Sequence, residues 1–208
     1  MIVTISREYG AAGLAVADGV AHALGYALLT DDLPKTVAAR LGTSPDAVSA
    51  IASSDRSLPE RLLAGLELGA ADMTGVAPVV PDDFDESVRR EIERTIHERA
   101  AAGNIVVLGR NAGAVLGRRP DLLRVYLTAD REWRASRLVD SFGQTRDSAF
   151  ADMDRIDAAR RKITKDRYKI AMGDARAYDL LIDVSRFGIA GAIALVVDAV
   201  RLASEAAR

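Results

Sequence analysis

The first thirteen residues constrain this fold more than any other stretch of the chain. Ile2-Val3-Thr4-Ile5 is a β-branched run, and Ser6 to Gly13 is a turn closing on the small residues Gly10-Ala11-Ala12-Gly13. An apolar segment of helical period follows at once. Strand, small-residue turn and helix in direct succession point consecutive backbone N–H groups and a helix N-terminus the same way. That makes a cradle for phosphate oxygens that needs no side chain. The full pattern G-x-x-x-x-G-K-[ST] adds a lysine for the outer phosphates and a hydroxyl for magnesium. Laid over Arg7 to Leu14, those two places hold Gly13 and Leu14. The phosphate-loop residues are therefore Gly10, Ala11, Ala12 and Gly13, in either a transferase with a changed grip or a nucleotide-binding fold without transfer chemistry.

Strand and helix patterns alternate along the rest of the chain. Leu14, Ala17, Val20, Ala21 and Leu24 mark one face of a helix over 11–24 that stops at Gly25. Residues 26–29 read as a strand, and Thr30 or Asp31 caps a helix running to about residue 41. Ser44 and Pro45 open a further short helix, a helical pattern covers 58–71, and 75–83 reads as a loop. A charged helix over 84–102 buries Val88, Ile92, Ile96 and Ala100. The continuous apolar run Ile105-Val106-Val107-Leu108 suits a strand covered on both faces of a parallel sheet. Residues 123–127 read as another strand, with Asp130 capping the helix after it. A basic helical stretch between 147 and 172, a strand over 178–184 and an apolar helix over 188–207 complete an α/β sheet with helical crossovers.

At 208 residues the chain fits one domain, large enough to bury a proper core. Its formal charge of −2 offers no general attraction to nucleic acid, so any polyanion site must be local. The absence of cysteine excludes disulfides, thiolate metal sites and a cysteine nucleophile. His22 and His97 lack a second ligand at metal spacing, so no protein metal site is expected, and Ser6 has no histidine partner for hydrolase chemistry. No apolar run is expected to span a membrane, and no signal-like segment precedes Ile2, which makes the cytoplasm the expected location. A homodimer is a further expectation, because the helical stretch 58–71 has no strand of its own to cover.

Four segments carry a family resemblance. They are Thr4-Ile5-Ser6-Arg7-Glu8-Tyr9-Gly10, Val106-Val107-Leu108-Gly109-Arg110-Asn111, Ile156-Asp157-Ala158-Ala159-Arg160 and Tyr178-Asp179-Leu180-Leu181-Ile182-Asp183. In this order, across nearly the whole chain, they resemble the cytidylate kinase-like branch of the nucleoside monophosphate kinases. The resemblance implies a P-loop NTPase-like parallel sheet flanked by helices, with a helical basic lid. It implies one domain over 1–208, with a helical acceptor-side insertion at about 30–102 and the lid at about 143–176. ATP and magnesium are the implied cofactors, and small-molecule nucleotides the implied partners.

In that family the middle motif reads Asp-Gly-Arg-Asp, whose arginine holds the acceptor phosphate and whose last aspartate reads cytosine. Here it is Leu108-Gly109-Arg110-Asn111, so Arg110 is the implied acceptor-phosphate ligand, its planar fork suited to phosphate. Asn111 offers a donor and an acceptor to a base. Asp157 and Arg160, three apart on one helical face, match the family's contacts to ribose and phosphate. A further family arginine falls at Arg89 or Arg90, and Asp31 could touch the acceptor or simply cap its helix.

Phosphoryl transfer needs in-line positioning and positive charge around the moving group. Arg7 is close enough to the loop to supply the missing lysine's charge, and Arg160, Arg161 and Arg167 would close over the phosphates. The leading expectation is ATP-dependent transfer to a nucleoside monophosphate, CMP or dCMP first. The alternatives are a binding protein without transfer activity and a kinase of another small phosphorylated acceptor.

Overall fold

A computed structural model describes residues 1–30, 32–53 and 84–206. Five strands form one sheet: β1 (Ile2–Arg7), β2 (Ala27–Leu29), β3 (Ile105–Leu108), β4 (Leu122–Thr128) and β5 (Leu180–Asp183). Their order is β2-β3-β1-β4-β5, and every pairing is parallel. Ile5 stands opposite Leu108 and Arg7 opposite Leu127, so β1 and β3 end side by side. Eight helices accompany the sheet in the described residues: α1 (Gly13–Leu24), α2 (Asp32–Leu41), α3 (Pro45–Ser53), α4 (Phe84–Ala101), α5 (Ala112–Leu116), α6 (Arg131–Phe142), α7 (Arg146–Tyr168) and α8 (Val184–Ala206).

Alternation along the strands splits the core into two layers. Val3, Ile5, Val106, Val125 and Leu127 face α1 and α8, packing on Val16, Val20, Val196 and Val200. Ile2, Ile105 and Val107 face the other way, onto Leu33 and Val37 of α2 and the Val88, Ile92, Ile96 stripe of α4. A sheet covered on both faces explains why β3 is apolar without a break, all four residues being buried. Burying each such aliphatic side chain contributes about 1.5–3 kcal/mol, which fixes the strand ends from which the loops depart.

The caps read at Ser44 and Asp130 are in place. Ser44 Oγ accepts from Ala47 N–H at 3.2 Å, and Asp130 accepts from Glu132 and Trp133 N–H at 2.9 and 3.0 Å. Leu14 differs from expectation, being 55% exposed. Ala12 takes a left-handed conformation (φ 55°), so α1 starts at Gly13 and buries the Val16, Ala17, Val20, Ala21 face, which leaves Leu14 outside. The membrane-span expectation also needs correction: α8, 23 residues long with an 18-residue stretch of mean hydropathy 1.7, is long and apolar enough to cross a bilayer by length and composition. Gly188 breaks it (φ 69°, ψ 170°), and its Ala192, Val196 and Val200 face packs into the α1 layer, with 22% of the apolar stretch buried. Helix α5 was not expected, because five residues after a strand give no period to read. Asp31, the helical pattern over 58–71 with its dimer expectation, and the loop over 75–83 lie outside the described residues.

Candidate active site

A cavity of about 430 Å³ opens at the carboxyl ends of β1 and β3, where open α/β sheets place their ligands. Ser6 and Arg7 line it from β1, Gly109, Arg110 and Asn111 from the turn after β3, and Arg155, Ile156, Ala159, Arg160 and Ile163 from α7. A second groove of about 310 Å³ lies at the amino ends of β4 and β5 and also contains arginines. There Arg119 pairs with Asp121, Arg124 with Asp179, and Arg118 donates to the Arg176 carbonyl. Two of its three guanidiniums are thus paired with carboxylates. In the upper cavity, by contrast, no described lining residue is a carboxylate.

The turn after β3 is unusual. Gly109, Arg110 and Asn111 have φ of 72°, 56° and 52° in succession. Glycine enters this region freely and asparagine tolerates it, whereas an arginine there costs about 1–2 kcal/mol. The Gly109 N–H bonds Ile5 O at 2.9 Å, while Ala114 and Val115 N–H bond Asn111 O at 2.8 and 2.9 Å. Anchored at both ends, the turn holds Arg110 and Asn111 at the cavity wall.

Arg7 leaves β1 and runs across the start of α1. A Cβ on Gly13 would lie 2.8 Å from Arg7 Cγ and 2.9 Å from Cδ, and a Cβ on Gly109 would overlap Arg7 Nη1. The side chain thus bridges two glycines, one in the place of the missing lysine and the other opening the acceptor-side turn. Burial, then the Arg160 and Arg110 charges, push the Arg7 guanidinium down to about 9, with Asp157 opposing them. It stays protonated at neutral pH, in a site rich in positive charge.

The loop itself provides backbone donors. Gly10 (φ 83°) and Ala12 (φ 55°) turn the chain, no side chain caps α1, and the first intrahelical bond is Val16 N–H to Ala12 O at 3.1 Å. The N–H groups of Gly13, Leu14 and Ala15 precede it and have no acceptor within the helix. Gly10, Ala11, Ala12 and Gly13 do not line the cavity; Arg7, lying against Gly13, connects them to it.

Beneath the loop sits a buried ion pair. Arg134 of α6 and Asp157 of α7, 7% and 5% exposed, bond at 2.8 Å. Asp157 Oδ1 also accepts from Tyr9 N–H at 2.8 Å, and Arg134 donates to the Tyr9 carbonyl at 3.1 Å. Both backbone groups of Tyr9 are held, just before Gly10, where a Cβ would lie 3.1 Å from Arg134 Cβ. Arg160, one turn on from Asp157, is 3.8 Å from that carboxylate and 3.4 Å from the Arg7 carbonyl, with its guanidinium 5.8 Å from the Tyr9 ring centre.

Of the residues expected at the site, Arg7, Arg110, Asn111 and Arg160 come together. Asp157 does not line the cavity, because both its oxygens are committed to Tyr9 and Arg134. Arg161 is exposed and off the cavity wall, as α7 turns about 100° per residue. Arg89, on α4, is partly buried and also off the wall. Arg167 does not cover the cavity: Glu86 takes its guanidinium in two bonds of 2.8 and 3.0 Å, and Glu93 adds one at 3.1 Å. Sequence reasoning missed Arg155, Thr164 and Arg134. Thr164 lies four residues from Arg160 on the same helical face and could have been read from it, and Arg155 lies four before the cavity residue Ala159; Arg134 gives no such signal.

Among the described residues no group of three or more carboxylate, histidine or cysteine side chains converges. The cavity offers guanidiniums and the hydroxyls of Ser6 and Thr30. That donor set fits polyphosphate but not a magnesium ion held by protein ligands alone.

Comparison with known proteins places the fold and the family. The sequence pattern of the cytidylate kinase-like family matches residues 2–186. A cytidylate kinase of Methanococcus vannielii is 32% identical over 120 residues, which span 56% of this chain and 68% of that protein. Among solved structures, an uncharacterized protein from Eubacterium ventriosum superposes with a TM-score of 0.70 at 18% identity, covering 97% of this chain and 98% of its own. A shikimate kinase from Bacteroides thetaiotaomicron does so with a TM-score of 0.53 at 13% identity, covering 97% and 98%. Those two likenesses show the fold, and the sequence match shows the family: the chain belongs to the cytidylate kinase-like family, phosphotransferases built on the P-loop kinase fold.

Proposed function

We propose that the protein is a nucleoside monophosphate kinase that moves the γ-phosphoryl group of Mg-ATP to a nucleoside monophosphate, with CMP or dCMP as the preferred acceptor. The observation that carries this reading is the convergence of Arg7, Arg110 and Arg160 on one cavity without a described carboxylate in its wall. Three guanidiniums brought together at a cost in mutual repulsion, with Asp157 behind the wall offsetting part of it, suit a bound polyanion.

The roles follow from position. The uncapped N-terminus of α1 holds the inner phosphates of the donor, and Arg7 carries positive charge from the loop towards the phosphoryl group in flight. Arg110 and Arg160 hold the acceptor's phosphate, one oxygen of which attacks the γ-phosphorus as the bond to the β-phosphate oxygen breaks. Magnesium enters as part of the nucleotide substrate. Asn111, beside Arg110, faces the acceptor's base.

The test is ADP formation from Mg-ATP with CMP, dCMP, UMP, AMP and GMP. One nucleotide should dominate, and Arg110→Ala should reduce its kcat/KM about 10³-fold, the scale of losing a transition-state arginine. Silence across the panel, with nucleotide binding intact by titration, would refute transfer and leave a binding protein.

A further inference from the structure

Thr164 of α7 is 4% exposed, so water does not complete its hydrogen bonding. Its Oγ1 lies 2.8 Å from the Arg160 carbonyl, the bond a helical threonine makes to the residue four before it, and 2.7 Å from the Asn111 amide Oδ1. A threonine hydroxyl has one hydrogen and two lone pairs, so it cannot donate fully to two acceptors. An amide turned half a revolution about its last bond exchanges oxygen for nitrogen. With that turn both contacts are satisfied: Thr164 donates to the Arg160 carbonyl and accepts from Asn111 Nδ2. The amide oxygen is then the atom left for the cavity that Asn111 lines.

We infer that Thr164 is a positioning residue that fixes the Asn111 amide with its oxygen towards the cavity, so that the site selects acceptor bases carrying an exocyclic amine over bases carrying a carbonyl at that place. This rests on the cavity being an acceptor-nucleotide site. The helix carries Thr164 and Arg160 together, so the same segment that supplies charge for the phosphate also sets the hydrogen-bond polarity met by the base. The aspartate that the family motif has in the place of Asn111 would present acceptors in any orientation; an asparagine needs a neighbour to choose for it. A base presenting a carbonyl would set two acceptors against each other and leave both unsatisfied, which costs on the order of a tenfold to hundredfold in kcat/KM.

Two measurements test this. In the ¹⁵N-labelled protein without ligand, one Nδ2 proton of Asn111, assigned through its loss in Asn111→Asp, should exchange slowly with water. It should become fast in Thr164→Val and stay slow in Thr164→Ser. Fast exchange of both protons in the parent protein overturns the positioning role, whatever the enzyme's activity. In the transfer assay, the CMP-to-UMP and AMP-to-GMP ratios of kcat/KM should fall about tenfold or more in Thr164→Val, mainly through KM, and return in Thr164→Ser. Ratios unmoved by Thr164→Val, in a protein that transfers phosphate, overturn the selectivity role. A parent protein that transfers to none of them refutes the proposed kinase reading instead, and the exchange measurement still decides the amide orientation.

Discussion

Replacing Gly13 by lysine, the residue the full phosphate-loop pattern asks for, should lower phosphoryl transfer by about 10²-fold or more instead of raising it, the scale of an ångström of misplacement at a reacting centre. Arg7 already runs across this position, with Cγ and Cδ 2.8 and 2.9 Å from where a Gly13 side chain would begin. Any Cβ there pushes Arg7 off its path towards Gly109, and a lysine adds a further cation beside Arg7, Arg110 and Arg160. The glycine and the arginine are thus one device: the lysine is absent because another cation reaches the same region from the end of β1. Arg7→Ala alone should cost about 10³-fold or more in kcat. The double variant Gly13→Lys with Arg7→Ala should recover part of that loss, since the lysine then has room and no rival. Steady-state kinetics on the four proteins decide the matter. A faster Gly13→Lys enzyme, or an Arg7→Ala enzyme with unchanged kcat, would show that the loop's charge comes from elsewhere.

That coupling shows where sequence is legible and where it stops. Ile2 to Gly13 could be read because burial of β1 and the glycine-bounded turn leave a period and a break. The position of Arg7 near the loop could also be read. Its route between Gly13 and Gly109 could not, since it depends on β3 ending beside β1, and parallel strand order is set by crossovers that leave no local pattern. Arg167 was expected over the phosphates because it shares a basic helix with Arg160, yet its partners Glu86 and Glu93 come from α4, far away in the chain. Asp157 and Arg160 do share a helical side, as their spacing says, but spacing does not tell that one is turned inward under the loop. Arg134 is the hardest case: in sequence it resembles any arginine of a charged helix, and only the packing of α6 on α7 makes it buried.

The second large effect follows from that inward turn. Asp157→Ala should destabilise the protein by about 3 kcal/mol or more, because it leaves the buried Arg134 guanidinium with only the longer contact to Glu8, at 3.6 Å, to offset its charge. For a chain of this size that lowers Tm by roughly 6–20 °C. It also frees the Tyr9 N–H just before the phosphate loop, so transfer should fall in the protein that remains folded. The paired change Arg134→Met with Asp157→Leu separates the two consequences. Exchanging a buried ion pair for apolar side chains of similar volume is often neutral or stabilising, so Tm should return towards the parent value. Activity should stay low, since neither the N–H nor the carbonyl of Tyr9 regains its partner. Thermal melts and kinetics on parent, single and double variants carry the comparison. If Asp157→Ala instead weakened nucleotide binding with Tm unchanged, the carboxylate would be a ligand to the substrate's ribose, as the family motif implies. The loop would then owe its shape to Gly10 and Ala12 alone.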